Sequence, residues 1–275
     1  MTSALHDHLR LVHISDLHFG AQHPGAAEAL LAAIDSLAPS LILITGDLTQ
    51  RARHSQFLAA RRFFDRLPCE WMAIPGNHDM PLFRPWHRLF TPHRRYRHHI
   101  GRITRDRLDH PRLRIALLDS TDPLAWRGGR LRSTPCRDSA AWLAAAAPEQ
   151  LRIAAAHHPF ASREAGNKGG MAGAREARRA LIDDGGADVL LWGHLHRTEA
   201  LLVEGASGRC AVGLGVGSPT SNRHIGEGFF FHQMDVSRDR IDATVWRRFA
   251  PDVHFHPEAN HTFAREAHGW TRSST

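Results

Sequence analysis

The chain has 275 residues, a hydrophobic fraction of 42% and a formal charge of +7. That length can bury a full core in one large domain or two small ones, and the absence of any low-complexity block argues for a globular chain. No apolar stretch approaches the roughly 18 residues needed to span a bilayer, so no transmembrane segment is expected.

The opening residues lack a charged region followed by an apolar core, so no secretory signal is expected. The cysteines, Cys69, Cys136 and Cys210, are three in number and have no CxxC spacing. That suits free thiols in a reducing cytoplasm better than a disulfide framework. Lys168 is the only lysine, so the basic charge is almost all arginine. That skew, with abundant alanine and glycine, reads as a coding bias toward GC-rich codons, although arginine also forms the better planar fork for phosphate.

In chain order, Arg10–Ile14 reads as a strand and Ala26–Leu37 as a helix closed by Pro39. Leu41–Thr45 is a continuous apolar run, the pattern of a strand buried on both faces. His54–Leu67 has helical spacing with Pro68 as its stop, and Glu70–Ile74 is a third strand. This β-α-β-α-β order predicts an α/β sheet with right-handed crossovers. Residues 81–111 break the rhythm, with a short helix over Leu82–Phe90 and loops. A strand over 113–118 leads into Asp119-Ser120-Thr121-Asp122, then come a helix over Ser139–Ala147 and a strand over Arg152–Ala156. A glycine-rich loop over Gly166–Gly173 precedes a helix over Ala174–Asp183 and a strand over Val189–Trp192. Beyond Glu199 only strands are predicted, at about 199–203, 210–214, 228–236 and 241–248, and they are expected to be antiparallel. The domain is expected to occupy residues 1–250, with 251–275 as a tail or loosely docked segment.

Five apolar runs each end in residues that can bind a metal: Asp16-Leu17-His18, Gly46-Asp47, Gly76-Asn77-His78-Asp79, His157-His158-Pro159 and Gly193-His194-Leu195-His196. In α/β sheets, binding groups collect beyond the carboxyl ends of strands. Asp16 and His18 are two apart, as are His194 and His196, so in an extended chain each pair can bite one site. The glycines before Asp47, Asn77 and His194 allow sharp turns and close backbone approach. Asp, Asn and His without thiolate suit manganese, iron or zinc. Seven candidate ligands are too many for one ion and about right for two. Two divalent ions, two carboxylates and one hydroxide leave about one net positive charge, which attracts an anionic ester.

Together and in this order, the five blocks resemble the calcineurin-like metallophosphoesterase superfamily over roughly residues 10–250. The resemblance implies a four-layer αββα fold, a central mixed β-sandwich flanked by helices with the metal site at strand carboxyl ends. It implies that Asp16, His18 and His196 hold one metal, that Asn77, His157 and His194 hold the other, and that Asp47 bridges. It further implies His78 as proton donor to the departing alkoxide, with Asp79 orienting its ring, and a metal-bridging hydroxide attacking phosphorus in line.

His13 lies inside the first strand and is expected to be structural. His158 is expected to pack beside the site, and the tail histidines 254, 256, 261 and 268 to be solvated. Gly213-Leu-Gly215-Val-Gly217-Ser218 opens no helix and so reads as a strand end near the site, not a dinucleotide fingerprint. The arginine-rich insert 81–111 reads either as a substrate-selecting cap or as a solvated basic face. The loop with Lys168 reads either as a second lid or as a set of tight turns.

Within the superfamily the chain looks closest to the bacterial branch of class III cyclic-nucleotide and glycerophosphodiester phosphodiesterases. The segments Ile14–His18, Leu118-Asp119-Ser120 and His157-His158-Pro159 carry that likeness. His78 speaks against the branch that cleaves UDP-diacylglucosamine, where arginine usually stands. The expected partner is a small anionic phosphate ester. A phosphomonoesterase or a DNA nuclease on the same metal core is the alternative, nucleic acid being less favoured. The sequence leaves open the exact substrate, the two metals and the oligomeric state.

Overall fold

Alternation within the strands sets the layers. Leu9 and Leu11 point into one apolar cluster, whereas Val12 and Ile14 join another. Leu41 and Leu43 repeat the pattern against Ile42 and Ile44, as do Val189 and Leu191 against Leu190 and Trp192. Successive strand side chains face opposite ways, so a strand apolar throughout must be covered on both sides. The first cluster is the interior of a sandwich, and the other two lie between its outer faces and the helices.

The structure is a computed structural model, and it describes residues 8–161, 170–221 and 228–273. The chain begins β1 (Leu9–Ile14), α1 (Ala26–Leu37), β2 (Leu41–Ile44), α2 (His54–Phe64) and β3 (Trp71–Ala73). Then follow a single 3₁₀ turn at Asn77–Asp79, α3 (Pro85–Phe90), and α4 (Arg94–Tyr96), which runs into a wider turn at Arg97–Gly101. Next come β4 (Arg107–His110), β5 (Leu113–Leu118), β6 (Gly129–Arg130), α5 (Ser133–Ala144), β7 (Leu151–Ala156) and β8 (Met171–Ala172). The remainder is α6 (Ala174–Arg178, widening over Arg179–Asp184), β9 (Val189–Trp192), β10 (Glu199–Glu204), β11 (Cys210–Gly215), β12 (Phe229–Val236), β13 (Arg240–Arg248), β14 (His256–Glu266) and β15 (Gly269–Arg272).

One sheet of 13 strands curls through both layers, in the order β3, β2, β1, β12, β13, β14, β15, β11, β9, β7, β5, β4, with β10 on β11. α1 and α2 cover the outer face of the first half, and α5 and α6 that of the second. This is the expected αββα sandwich. β1, β2 and β3 are mutually parallel, as are β5, β7, β9 and β11. The five ligand-bearing loops follow β1, β2, β3, β7 and β9.

Several elements differ from expectation. α2 stops at Phe64, and the amides of Arg66 and Leu67 close tighter, three-residue turns on the carbonyls of Phe63 and Phe64. α5 starts at Ser133, six residues before the expected Ser139, because Pro135 lies in its first turn, where no intrahelical N–H is needed. The insert holds α3, α4 and the edge strand β4. β10, β12 and β13 pair antiparallel as expected, but β11 runs parallel to both β9 and β15.

The largest difference is at the end of the chain. Instead of a loose tail, β14 pairs with β13 along eight register positions, and β15 joins β14 to β11. Phe263 and Trp270 from these strands are buried in the sandwich interior. Alternation there is diluted by His256, Glu258, Asn260 and His261, and so leaves no clear period. His254, His256 and His268 are exposed, as expected. Residues 166–169 of the expected lid, Lys168 included, fall outside the described residues, and 170–173 lead through β8 into α6. Cys69, Cys136 and Cys210 are free. Among the described residues, no helix is long and apolar enough to cross a membrane.

Candidate metal centre

Five of the seven expected ligands sit in left-handed backbone conformation: Asp16 (φ 56°), His18 (φ 46°), Asp47 (φ 50°), His194 (φ 69°) and His196 (φ 55°). Each such non-glycine residue costs about 1–2 kcal/mol, so the surroundings must hold it. Asp16 and His18 donate their amides to the carbonyls of Gly46 and Asp47, at 2.9 and 3.0 Å. The Ser218 hydroxyl donates to the Asp16 carbonyl and that of Thr220 to the Leu17 carbonyl, both at 2.6 Å. The His194 amide donates to Asp16 Oδ2 at 2.8 Å. The chain therefore leaves extended geometry at the strand ends, contrary to the i, i+2 argument. Asp16 and His18 still converge, but His194 and His196 turn to different neighbours.

The glycines serve two purposes. Gly46 has φ 97°, which a side chain would strain. Gly76 and Gly193 have no such angle and provide space instead. A Cβ on Gly193 would meet Asp16 Oδ2 at 2.5 Å, and one on Gly76 would collide with the Asp47 carboxylate.

Two triangles of donor atoms result. His18 Nε2 lies 3.2 Å from His196 Nε2, and Asp16 Oδ1 lies 3.6 and 3.2 Å from those two atoms. Asn77 Oδ1 lies 3.1 Å from both His157 Nε2 and His194 Nδ1, which are 3.3 Å apart. Donors about 2.1 Å from one ion are about 3.0–3.4 Å from each other, so both triangles have the right size, the first slightly open. Asp47 Oδ2 lies between them, 3.8 Å from His18 Nε2 and 3.4 Å from His157 Nε2. Asp16 Oδ1 is buried with no hydrogen-bond partner, a costly state for a carboxylate unless a cation meets it. The donor set therefore fits two ions.

Electrostatics agree. Burial would raise the Asp16 and Asp47 carboxyls, but the facing histidines win and hold both well below the usual range. Burial pushes His18 down to about 4, and burial with the His157 charge does the same to His194. Such rings are neutral and keep lone pairs for a metal. Burial opposes a charge on His157 too, yet Asp47 raises it to about 9.

His78 belongs to the same floor. Its amide donates to Asp47 Oδ1 at 2.8 Å, and its ring meets His18 edge-on with centroids 4.9 Å apart. Its Nδ1 bonds the Gln50 carbonyl at 2.9 Å. The ring orienter is thus a backbone carbonyl, which no side-chain pattern announces. Asp79 takes a different part from the one expected. Its carboxylate accepts from the amides of Gly76, Leu48 and Thr49 and from the Thr49 hydroxyl, at 2.8–3.0 Å. It ties the Asp47 loop to the Asn77 loop. Burial and the Asp47 charge push its carboxyl up to about 7, against those donors.

Other supports were invisible in the sequence. The Thr45 carbonyl holds His157 Nδ1 at 2.7 Å, leaving Nε2 for the site. The Thr45 hydroxyl bonds His13 Nε2 at 2.9 Å, which gives that buried histidine a structural place. His158 bonds Ser120 Oγ through Nδ1 at 2.9 Å, and its ring lies 4.5 Å from that of His194. It is grouped closely enough with His157 and His194 to offer a further nitrogen. Ser218, flagged only as the end of a glycine-rich run, proves to brace Asp16.

The family described as calcineurin-like phosphoesterase matches residues 9–198. No curated protein matches the sequence significantly. Among solved structures, a purple acid phosphatase from yellow lupin (Lupinus luteus) is similar with TM-score 0.68 and 14% identity, over 94% of this chain and 54% of that one. A structure of PhoD is similar with TM-score 0.69 and 10% identity, over 98% of this chain and 72% of that one. A dimetal phosphatase from Danio rerio is similar with TM-score 0.60 and 15% identity, over 86% of this chain and 95% of that one. This chain spans about half the length of the lupin protein. At such identities the likeness is one of fold.

Proposed function

Because the chain belongs to the calcineurin-like phosphoesterase family, we propose that it is a dinuclear metal-dependent phosphoester hydrolase that prefers diesters. The observation that carries this reading is Asp47 Oδ2, set between two triangles of neutralisable donors. Asp16, His18 and His196 would hold one ion and Asn77, His157 and His194 the other, with Asp47 placed to serve both. Bound there, the ions supply Lewis-acid charge to the phosphoryl oxygens and make water nucleophilic at neutral pH. The donor set, without thiolate, suits manganese, iron or zinc.

The chain's own residues supply the rest. The Gln50 carbonyl accepts from His78 Nδ1, so Nε2 is the ring nitrogen that would pass a proton to the departing alkoxide. Asp47 fixes the His78 backbone, and Asp79 fixes the two loops that carry Asp47 and Asn77. Asp79 is thus a positioning residue. Preference for a diester rests on the likeness of Ile14–His18, Leu118-Asp119-Ser120 and His157-His158-Pro159 to the class III phosphodiesterase branch.

The test is hydrolysis of bis-p-nitrophenyl phosphate and p-nitrophenyl phosphate by Mn²⁺-loaded protein. A higher kcat/KM for the diester is expected. A monoester preference overturns the diester assignment. Two bound metals with neither substrate cleaved overturn the enzymatic reading.

A further inference from the structure

The segment after Asp79 leaves large apolar groups uncovered. Phe83 is 74% exposed, Trp86 71% and Phe90 74%, and Trp86 stacks on Phe90 one turn away, with centroids 6.1 Å apart. Leu124 and Trp126, from the loop after β5, are 79% and 69% exposed. Single exposed apolar residues need no explanation, but a preformed ridge does. Arg88 anchors α3 to the loop that carries Leu124 and Trp126. Its guanidinium is buried beneath α3, donates to the carbonyls of Pro123 and Ala125 at 2.8 and 2.6 Å, and lies 6.0 Å from the Trp126 ring.

On the neighbouring side of α3 lies a cavity of about 710 Å³. Arg84, Arg94, Arg95, Arg97 and Arg102 line it together with several histidines, and no carboxylate does. His87 of α3 lines it, as do Arg84 and Thr91 at the two caps of that helix, so ridge and cavity adjoin the same short helix. Arg95 donates to the Ala52 carbonyl at 2.6 Å, and Arg51 lies 5.5 Å from the Phe83 ring. Both tie this surface to the loop whose Gln50 carbonyl holds His78.

We propose that this face docks on an anionic phospholipid surface, the ridge entering the interfacial layer and the arginine-lined cavity taking a head-group phosphate. Tryptophan and phenylalanine settle where acyl chains meet head groups, and arginines beside them meet the negative surface. Arginine forks match phosphate geometry. A nucleic acid would use the arginines, but Leu89 and Leu124 have no π-face on which a base could stack. The proposal goes beyond the hydrolytic reading and needs no turnover to be tested.

The experiment is flotation of the full chain with vesicles of pure phosphatidylcholine or of equimolar phosphatidylcholine and phosphatidylglycerol, at physiological ionic strength. Binding to the anionic vesicles alone is expected. The triple variant Arg84→Ser/Arg94→Ser/Arg97→Ser should partition about fivefold more weakly per arginine removed. The double variant Trp86→Ser/Phe90→Ser should lose at least about tenfold. Melting temperature and metal content report the fold of each variant. Wild-type protein that stays lipid-free with anionic vesicles overturns the proposal, as do folded variants that float like wild type. Tight binding of a single-stranded oligothymidine by protein that ignores the vesicles overturns it in favour of a nucleic-acid surface.

Discussion

Asp47 accepts the backbone amide of His78 through Oδ1 at 2.8 Å, so one carboxylate joins the proposed metal bridge to the proposed proton donor. The two residues nevertheless separate by function. Asp47→Ala should lose the bound metal, since Oδ2 is the donor nearest both triangles. His78→Ala should keep its metal and lose about 10²–10⁴-fold in kcat. Elemental analysis alongside steady-state kinetics reads both effects, and two fully active, metal-loaded variants would dismiss the assignment.

Asp79 is expected to matter for folding before chemistry. Asp79→Ala strands three buried amides, each costing about 1–3 kcal/mol when unpaired. The midpoint of urea unfolding should fall by several kcal/mol equivalents, with loss of activity following the loss of loop order. An unchanged midpoint would restore a purely catalytic role.

His232 makes the protein sensitive to acid. It faces His13 across β1 and β12, and neither of its ring nitrogens has a hydrogen-bond partner. Burial pushes it down to about 3. The unfolded chain takes up a proton below about pH 6.5 and the folded one does not, so stability is lost as pH falls from there towards 3. For this residue alone the loss between pH 7 and 5 is about 2 kcal/mol. His232→Phe should flatten that acid limb in urea titrations at the two pH values. A limb of unchanged slope would exclude His232 as its source.

Metal removal should be visible as stability. Five proposed ligands in left-handed conformation and a buried Asp16 Oδ1 without a hydrogen-bond donor are more favourable with a cation among them. Mn²⁺ at about a hundredfold over its dissociation constant should add about 2.7 kcal/mol. Scanning calorimetry should show a lower melting temperature in chelator, restored with activity by adding Mn²⁺ back. Equal melting temperatures would mean that the donors hold no ion in the folded state.

Much of the strand layout was legible, because strands buried on both faces are written as apolar runs such as Leu41–Ile44 and Val189–Trp192. β14 was not, because its alternation is broken by histidine, asparagine and glutamate on the half that faces water. α5 was read late, because Ser133-Thr134-Pro135 looks like a turn and is in fact a helix opening. Residues that act through side chains stood out as motifs. Those that act through backbone carbonyls, Thr45 and Gln50, carry no mark of it in residue type.

The sequence by itself determined the donor chemistry: which seven side chains end the apolar runs, and that none is a thiolate. It also determined the layers, because burial on two faces is a property of residue order. The family resemblance implied how those donors divide, and the tertiary structure alone decided the backbone geometry that brings them there. His194 and His196 are two residues apart, yet left-handed turns send them to different triangles, and Asp79 faces loop amides instead of the His78 ring. Those outcomes depend on hydrogen bonds between loops far apart in the chain, such as Ser218 on Asp16 and Asp47 on His78. Local pattern cannot encode them, because each partner is supplied by a different strand end and becomes a partner only when the sheet has closed.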